Sequence, residues 1–305
     1  RPLWAYTPSK SAPASSRMAI SVTQLHPVFV GEVSGVDLRQ PLDKATVGAL
    51  NDAINKHGVL VFHGQTIDDA QQQAFSRNFG DLETTVRAYR HDYKARLDNY
   101  MADISNLDEN NKVLSGNDRR RLNALGNRLW HSDSSFKRIP ARFSLLSARI
   151  IPSAGGNTEF ACMRAAYESL PAATQQKLEG LQVHHTITRS REILGFTFSD
   201  EEKNKLKGAI HPMVRTNPRT GRKSLYLASH AARVLGWEVP DGLLFVIELM
   251  EHATQRQFVY SHEWRDGDFV IWDNLATMHR ATAFDDIAHH RELRRVTTID
   301  LPLPV

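Results

Sequence analysis

Hydrophobic spacing divides the first part of the chain into short strands and two helices. Val59–Phe62 is a continuous apolar run of strand length, and residues 20–38 alternate weakly around two glycines, which predicts two short strands and a turn. Residues 44–56 place apolar side chains at helical spacing before Gly58, and residues 68–79 do so before a second glycine. These patterns predict two early helices ahead of a strand-rich body.

Short strands dominate the prediction for the remainder of the chain. Residues 163–178, interrupted near Pro171, and residues 242–252 have helical spacing. Strands are predicted at 142–151, near 160, and at 183–188, 214–216, 224–227, 258–262, 268–272 and 295–301. Many short strands with a few early and peripheral helices predict an α+β fold, mainly β, built as a double-sheet jelly roll.

Two long stretches lack a hydrophobic period. Residues 81–127 and 189–208 are polar and irregular. A stretch of this kind inside a compact domain is usually a functional lid or a disordered segment. Both are predicted to be lid loops over a site, with an ordinary solvated loop as the alternative.

Composition limits the class of protein. The 305 residues have ordinary apolar and charged fractions, and no apolar run approaches the length of a membrane span. The single cysteine, Cys162, excludes an intrachain disulfide and a cysteine-based zinc cluster, which fits a reducing compartment. The net charge of +4 predicts either an ordinary solvated surface or a preference for small anionic ligands. We expect a cytoplasmic homo-oligomer with no nucleic-acid or membrane partner.

The first 17 residues are expected to lie outside the fold. They are rich in Ser and Pro, contain no acidic residue and lack a clear amphipathic period. A targeting segment, an upstream translation start and a cloning remnant are the alternatives for this extension. Residues 18–305 show no internal repeat and no clear linker, which predicts a single domain.

The main candidate chemistry lies in residues 129–136, Leu-Trp-His-Ser-Asp-Ser-Ser-Phe. His131 and Asp133 are two residues apart, and on a strand such residues project from the same face. A second histidine, for which His279 is the best candidate, would complete two histidines and one carboxylate on one side of a metal ion. The motif is short and frequent by chance, and the same ligand set also serves hydrolytic zinc.

Arg291 and Arg295 are candidates for binding carboxylates. They are four residues apart in a strand-like segment, so they share one face while Arg294 points the other way. A guanidinium holds a carboxylate through two parallel hydrogen bonds, so the pair could bind two carboxylates or one dicarboxylate. A solvated sheet face is the alternative.

Taken together, these motifs resemble the taurine/2,4-dichlorophenoxyacetate dioxygenase family over roughly residues 20–301. In the order and spacing of that family, the chain contains Trp130-His-Ser-Asp133, Gly155-Gly-Asn-Thr158, Trp272-Asp-Asn274 followed by His279, and Arg291 followed by Arg295. Five separated segments, 103–106, 129–136, 163–167, 251–255 and 291–295, are similar to the 2,4-dichlorophenoxyacetate branch nearly word for word. Chance is a poor explanation for five such matches.

The resemblance implies a double-stranded β-helix (jelly-roll) fold and an enzyme that uses Fe(II), 2-oxoglutarate and O₂. His131, Asp133 and His279 match the iron ligands of the family. The carboxylate at Asp133 favours hydroxylation, because the related halogenases lack it.

The other matched positions concern the two organic ligands. Thr158 and Arg291 match the residues that hold the distal carboxylate of 2-oxoglutarate. Arg295 matches the arginine that faces the anionic group of the substrate. By itself, Thr158 would be interpreted as an ordinary strand hydroxyl.

The reaction that the resemblance implies is hydroxylation of a small carboxylate, such as an aryloxyacetate, with release of succinate and CO₂. Hydroxylation beside the ether oxygen gives a hemiacetal that collapses to a phenol and glyoxylate. The alternative within the enzyme class is the same chemistry on a sulfonate, or on a natural-product or amino-acid-derived acid. The alternative outside it is a metal-binding jelly roll without turnover.

Overall fold

A computed structural model describes residues 20–85 and 95–300, which contain fifteen strands and eight α-helices. The predicted extension at residues 1–17 lies outside the described residues, as does part of the predicted lid at residues 81–127. The strands are β1 (Ser21–Gln24), β2 (Gly31–Ser34), β3 (Val59–Phe62), β4 (Met101–Ser105), β5 (Ala141–Ile150), β6 (Thr158–Cys162), β7 (Gln182–His185), β8 (Ala209–Pro212), β9 (Val214–Thr216), β10 (Lys223–Leu225), β11 (Ala231–Val234), β12 (Val259–His262), β13 (Phe269–Asp273), β14 (Thr277–Ala281) and β15 (Glu292–Ile299).

The helices lie mostly outside the main sheets. They are α1 (Lys44–His57), α2 (Asp69–Ser76), α3 (Arg119–Ala124), α4 (Met163–Glu168), α5 (Ala172–Leu178), α6 (Ile187–Glu192), α7 (Asp200–Lys205) and α8 (Val239–Ala253). Local signals set their ends: the carboxylate of Asp43 accepts a hydrogen bond from the backbone N–H of Thr46 at the start of α1. Gly58 ends that helix in the left-handed conformation, with φ 73°, as its position in the sequence predicts.

A seven-stranded sheet with the order β1-β2-β3-β13-β5-β15-β4 forms the larger layer. Strand β3 and residues 269–272 of β13 are apolar on both faces, since their successive side chains are all apolar and point to opposite sides. In β3, Leu60 and Phe62 pack in one core cluster with residues of α1 and α2, whereas Val59 and Val61 pack in a second cluster on the other face. The uninterrupted apolar run in the sequence is therefore a strand buried on both sides.

A three-stranded sheet with the order β12-β6-β14 covers the second face of the larger sheet. Phe160 of β6 packs with residues of β3, β5, β13 and β15, and its ring centroid lies 5.4 Å from that of Trp272. Thr158, at the start of the central strand β6, is opposite His262 of β12 and Ala281 of β14. The candidate ligands lie between these two sheets.

The two predicted loops contain regular elements. Within residues 81–127, β4 is an edge strand of the larger sheet and pairs with β15. In the same stretch, α3 follows the N-cap residue Asp118. Within residues 189–208, α6 and α7 occur, and α7 has a capping box formed by Ser199 and Glu202. The three helices are short and highly charged, and β4 has only five residues, so none of these elements has a clear hydrophobic period in the sequence.

The helical share of the chain is larger than the sequence predicts. α-Helices contribute almost as many residues as strands, and the fold is a sheet-rich α+β fold. The predicted strand at 183–188 ends at His185, after which Thr186 caps α6. None of the helices in the described part of the chain combines the length and the apolarity that a membrane span requires.

Candidate active site

His131 and His279 face each other across a reciprocal backbone pair. The N–H of His131 donates to the carbonyl of His279 at 3.0 Å, and the N–H of His279 donates to the carbonyl of His131 at 2.9 Å. Residues directly opposite in an antiparallel pair project from the same face, and the two ring centroids are 4.2 Å apart. The pairing of two segments that are far apart in the sequence therefore brings the two imidazoles together.

Asp133 joins these histidines, although not in the predicted way. The predicted strand through His131 and Asp133 is wrong, because His131 makes a single bridge and Asp133 lies in a turn before Ser134, whose φ is 52°. The turn nevertheless directs the carboxylate to the histidines: Oδ2 lies 3.6 Å from His279 Nε2, and Oδ1 lies 3.9 Å from His131 Nε2. One ligand atom from each of the three buried side chains lies within 4.8 Å of the others.

Neighbouring side chains fix the orientation of Asp133. Ser144 of β5 donates a hydrogen bond to its Oδ2 at 2.7 Å, and Arg295 of β15 donates to its Oδ1 at 2.5 Å. The backbone N–H of Asp133 donates to Asn274 Oδ1 at 3.0 Å, and the same oxygen accepts the indole N–H of Trp272 at 3.2 Å. Outer contacts of this kind orient metal ligands and hold their geometry.

The protonation states of the cluster suit a divalent metal ion. Burial lowers the pKa of both His131 and His279, so both rings are neutral at pH 7. Burial alone would raise the pKa of Asp133, but the charge of Arg295 and the hydrogen bond from Ser144 help to hold the pKa below its usual range. Metal binding requires neutral imidazoles and an ionised carboxylate. In addition, His131 Nδ1 donates to the carbonyl of Leu129 at 2.7 Å, which leaves the lone pair of Nε2 available.

Arg291 is buried beside this cluster, with a guanidinium that is incompletely paired. Its Nη2 donates to the carbonyl of Gly156 at 3.0 Å, while its buried Nε has no hydrogen-bond partner among the described residues. Burial lowers the pKa of Arg291 to about 10, so the group remains charged at neutral pH. A Cβ at Gly156, whose φ is 71°, would lie 3.1 Å from Arg291 Nε. A buried cation of this kind needs an anionic partner to offset its desolvation.

A cavity of about 240 Å³ connects these groups. Its described lining includes all six candidate residues, His131, Asp133, Thr158, His279, Arg291 and Arg295. Arg294 does not line it and pairs instead with Asp69 and Glu292 on the opposite face of the sheet, as the alternation in the sequence predicts. Seven Arg and Lys side chains in the described lining outnumber four Asp and Glu side chains, so the cavity favours anions.

Sequence reasoning missed several residues that the structure brings to the site. Ser144 and Trp264 carry no local signal, because their contacts join segments far apart in sequence. His230 lines the cavity and places its ring centroid 6.0 Å from that of His131. Asn106 and Asn274 did have a signal, since each lies in a motif that supports the family resemblance.

Two histidines and one carboxylate, buried together at a cavity, form the ligand set of non-haem iron oxygenases. The sequence model of the family described as "Taurine catabolism dioxygenase TauD, TfdA family" matches residues 21–297. The chain belongs to this family.

Named relatives and solved structures agree with that assignment. The chain is 43% identical to the "Alpha-ketoglutarate-dependent 2,4-dichlorophenoxyacetate dioxygenase" of Cupriavidus pinatubonensis (strain JMP 134 / LMG 1197), over 93% of this chain and 99% of the relative. It is 34% identical to the "(S)-phenoxypropionate/alpha-ketoglutarate-dioxygenase" of Sphingobium herbicidovorans, over 88% and 91%. The crystal structure of AAD-2 in complex with Mn(II) and N-oxalylglycine superposes with a TM-score of 0.86 at 46% identity, covering 92% of this chain and 97% of AAD-2.

The protein is therefore an Fe(II)/2-oxoglutarate-dependent dioxygenase, alpha-ketoglutarate being another name for 2-oxoglutarate. The family resemblance, the enzyme class and the cofactors predicted from the sequence are confirmed. The roles of the individual residues remain predictions.

Proposed function

We propose that this protein hydroxylates an aryloxyacetate at the carbon between the ether oxygen and the carboxylate. The observation that carries the proposal is the placement of the His131–Asp133–His279 cluster and two arginines, Arg291 and Arg295, in one cavity. Relatives named for aryloxyalkanoate substrates support the choice of substrate class.

The three ligand residues would hold Fe(II). Their neutral nitrogens and ionised carboxylate fit this ion, and a facial set of three leaves positions for other ligands. When bound, Fe(II) with 2-oxoglutarate and O₂ supplies the oxidant that replaces C–H by C–OH, while 2-oxoglutarate becomes succinate and CO₂.

The remaining residues would bind and orient the two organic acids. Arg291, a buried cation with one carbonyl partner and a free Nε, offers hydrogen bonds for the distal carboxylate of 2-oxoglutarate. Thr158 lies two residues beyond Gly156, the residue that contacts Arg291, and lines the same cavity. Arg295, whose Nη1 contacts Asp133, would hold the carboxylate of the substrate near the metal ligands.

The substrate is tested by incubating the protein with Fe(II), ascorbate, 2-oxoglutarate and a panel of aryloxyacetates, sulfonates and amino acids. Succinate and phenol are quantified together. We expect equal amounts of both with an aryloxyacetate, because the hemiacetal releases one phenol per turnover. Succinate formed only with a sulfonate or an amino acid would overturn the substrate class while leaving the enzyme class intact.

A second candidate substrate class remains because the relatives are diverse. The chain is 31% identical to an "Alkylsulfatase" of Acinetobacter baylyi and 29% identical to a "Pentalenolactone F synthase" of Streptomyces arenae, each over 87% or more of this chain. A sulfate ester, a sulfonate or a natural-product acid also offers an anion to Arg295. The same panel separates these substrates from aryloxyacetates.

The finer architecture is part of this proposal. We propose that the two facing sheets form the double-stranded β-helix of the family, and that residues 18–305 form one domain. The solved structures that superpose on the chain support the fold. The homo-oligomer and the cytoplasmic location remain predictions, which light scattering and cell fractionation test.

A further inference from the structure

The hydroxyl of Thr158 accepts a hydrogen bond from a residue outside the cavity. The indole Nε1 of Trp264 lies 3.0 Å from Thr158 Oγ1, and both residues are buried, with 8% and 4% of their surface exposed. Because an indole N–H can only donate, Thr158 must be the acceptor. Within the described residues, no protein group accepts the hydroxyl proton of Thr158.

This bond determines where the hydroxyl proton can point. A threonine hydroxyl has one proton and two lone pairs, and the proton rotates to the acceptor that suits it. With one lone pair occupied by Trp264, the proton of Thr158 must be directed elsewhere. Thr158 lines the cavity that also contains Arg291, so an anion bound there is the available acceptor.

Trp264 is itself held firmly behind the site. Its ring meets the ring of His262 edge-on, with centroids 4.7 Å apart and an angle of 88°. His262 bonds to the buried carboxylate of Asp268 at 3.0 Å and lies opposite Thr158 in the strand register. Trp264 does not line the cavity, so it reaches a ligand only through Thr158.

We propose that Trp264 is a positioning residue for 2-oxoglutarate. It holds the Thr158 hydroxyl so that its proton is donated to the distal carboxylate, together with the hydrogen bonds of Arg291. The inference rests on the proposed role of Thr158 and Arg291 and adds a residue that touches neither ligand nor metal. It predicts that Trp264 strengthens the binding only of cosubstrates that have a distal carboxylate.

The test compares two replacements that lose similar packing and differ in the N–H. Trp264→Phe removes the donor. Trp264→His keeps a ring nitrogen at the equivalent position, because imidazole resembles the five-membered half of indole. Calorimetry on the Mn(II)-loaded proteins measures the Kd of 2-oxoglutarate and of 2-oxopentanoate, which has the same chain length without the distal carboxylate.

We expect Trp264→Phe to raise the Kd of 2-oxoglutarate by about five- to tenfold, the value of one hydrogen bond, and that of 2-oxopentanoate by less than about twofold. Trp264→His should recover most of the loss. In a Thr158→Val background, Trp264→Phe should have no further effect, because its partner is gone. Trp237→Phe, at a ring stacked on Phe245 on another part of the chain, is the control and should leave both constants unchanged.

Three results would overturn the inference. They are an unchanged Kd for 2-oxoglutarate in Trp264→Phe, an equal loss for both oxo acids, and full additivity with Thr158→Val. Failure of the proposed roles of Thr158 and Arg291 looks different, because Thr158→Val and Arg291→Gln would then leave the Kd of 2-oxoglutarate unchanged. Failure of the proposed substrate class would change none of these constants. If Trp264→Phe does not fold, Thr158→Val and Trp264→His still test the inference. Thr158→Val should lose the selectivity for 2-oxoglutarate over 2-oxopentanoate, and Trp264→His should retain it.

Discussion

Arg295 Nη1 donates a hydrogen bond to Asp133 Oδ1 at 2.5 Å, so the arginine proposed for the substrate contacts the carboxylate proposed for the metal. The contact joins β15 to the turn that follows His131, and both groups are largely buried. The cation helps to keep the pKa of Asp133 low, against the effect of burial. A substrate carboxylate bound by Arg295 would therefore lie beside the metal ligands.

Arg295→Gln should chiefly weaken binding of the organic substrate. We expect its KM to rise by about 10- to 100-fold, which corresponds to the loss of a charge-assisted hydrogen bond. The Kd of 2-oxoglutarate should change by less than about threefold. Steady-state kinetics and calorimetry measure the two constants, and an effect confined to 2-oxoglutarate would show that the role assigned to Arg295 is wrong.

Arg291→Gln should instead raise the Kd of 2-oxoglutarate by about 10- to 100-fold, because a buried charge-assisted contact is lost. Arg294→Gln is the matched control, since Arg294 lies three residues further along, in β15, and pairs on the opposite face with Asp69 and Glu292. Calorimetry on both variants gives the comparison. Similar losses in the two would mean that the effect is general to this segment of the chain and that Arg291 has no special contact with the cosubstrate.

Asp133→Ala should abolish turnover while the protein remains folded. The variant removes the only carboxylate of the three-residue cluster and leaves two neutral imidazoles. Metal content after dialysis against Fe(II) or Mn(II) should fall, and circular dichroism should remain like that of the wild type. Retained activity with saturating iron would remove Asp133 from the ligand set.

Asn106→Ala should weaken 2-oxoglutarate binding from outside the metal cluster. Asn106 Oδ1 accepts the backbone N–H of Arg291 at 2.8 Å, and its amide donates to the carbonyls of Asp286 and His289. Losing these contacts should cost about 1–3 kcal/mol of stability, because buried backbone groups lose their partners. Urea unfolding and the Kd of 2-oxoglutarate should both change. A change in stability alone would show that Asn106 supports the fold without positioning Arg291.

The stability of the protein should fall in acid because of a buried neutral histidine. His185 is fully buried, and its Nδ1 contacts Ser135 Oγ at 3.1 Å. Burial lowers its pKa to about 3, so below pH 6.5 the unfolded chain takes up a proton that the folded protein does not. The free energy of unfolding should therefore fall by about 2 kcal/mol between pH 6.5 and 5 from this residue alone.

Urea titrations of the wild type and of His185→Gln between pH 5 and 7 measure this contribution to the free energy of unfolding. The variant should show a shallower dependence on pH, because the titrating ring is gone. His290→Gln, at an exposed position, is the control and should retain the slope of the wild type. Parallel curves for the wild type and His185→Gln would show that His185 contributes nothing to the acid sensitivity.

The sequence by itself determined the elements whose evidence is local. The apolar run of β3 and the spacing and final glycine of α1 gave the correct positions, because one strand or helix carries the whole signal. The motifs around His131, His279 and Arg291 identified the family for a related reason. Each motif is a short segment whose residue types can be recognised without their partners.

Only the tertiary structure decided how those segments meet. Asp133 reaches the histidines from a turn and not from a strand, and Ser144 and Arg295 fix its carboxylate from two other strands. The contact from Trp264 to Thr158 spans 106 positions of the sequence. Such contacts depend on strand register and sheet packing, which involve pairs of residues far apart in the chain and leave no periodic pattern within either segment.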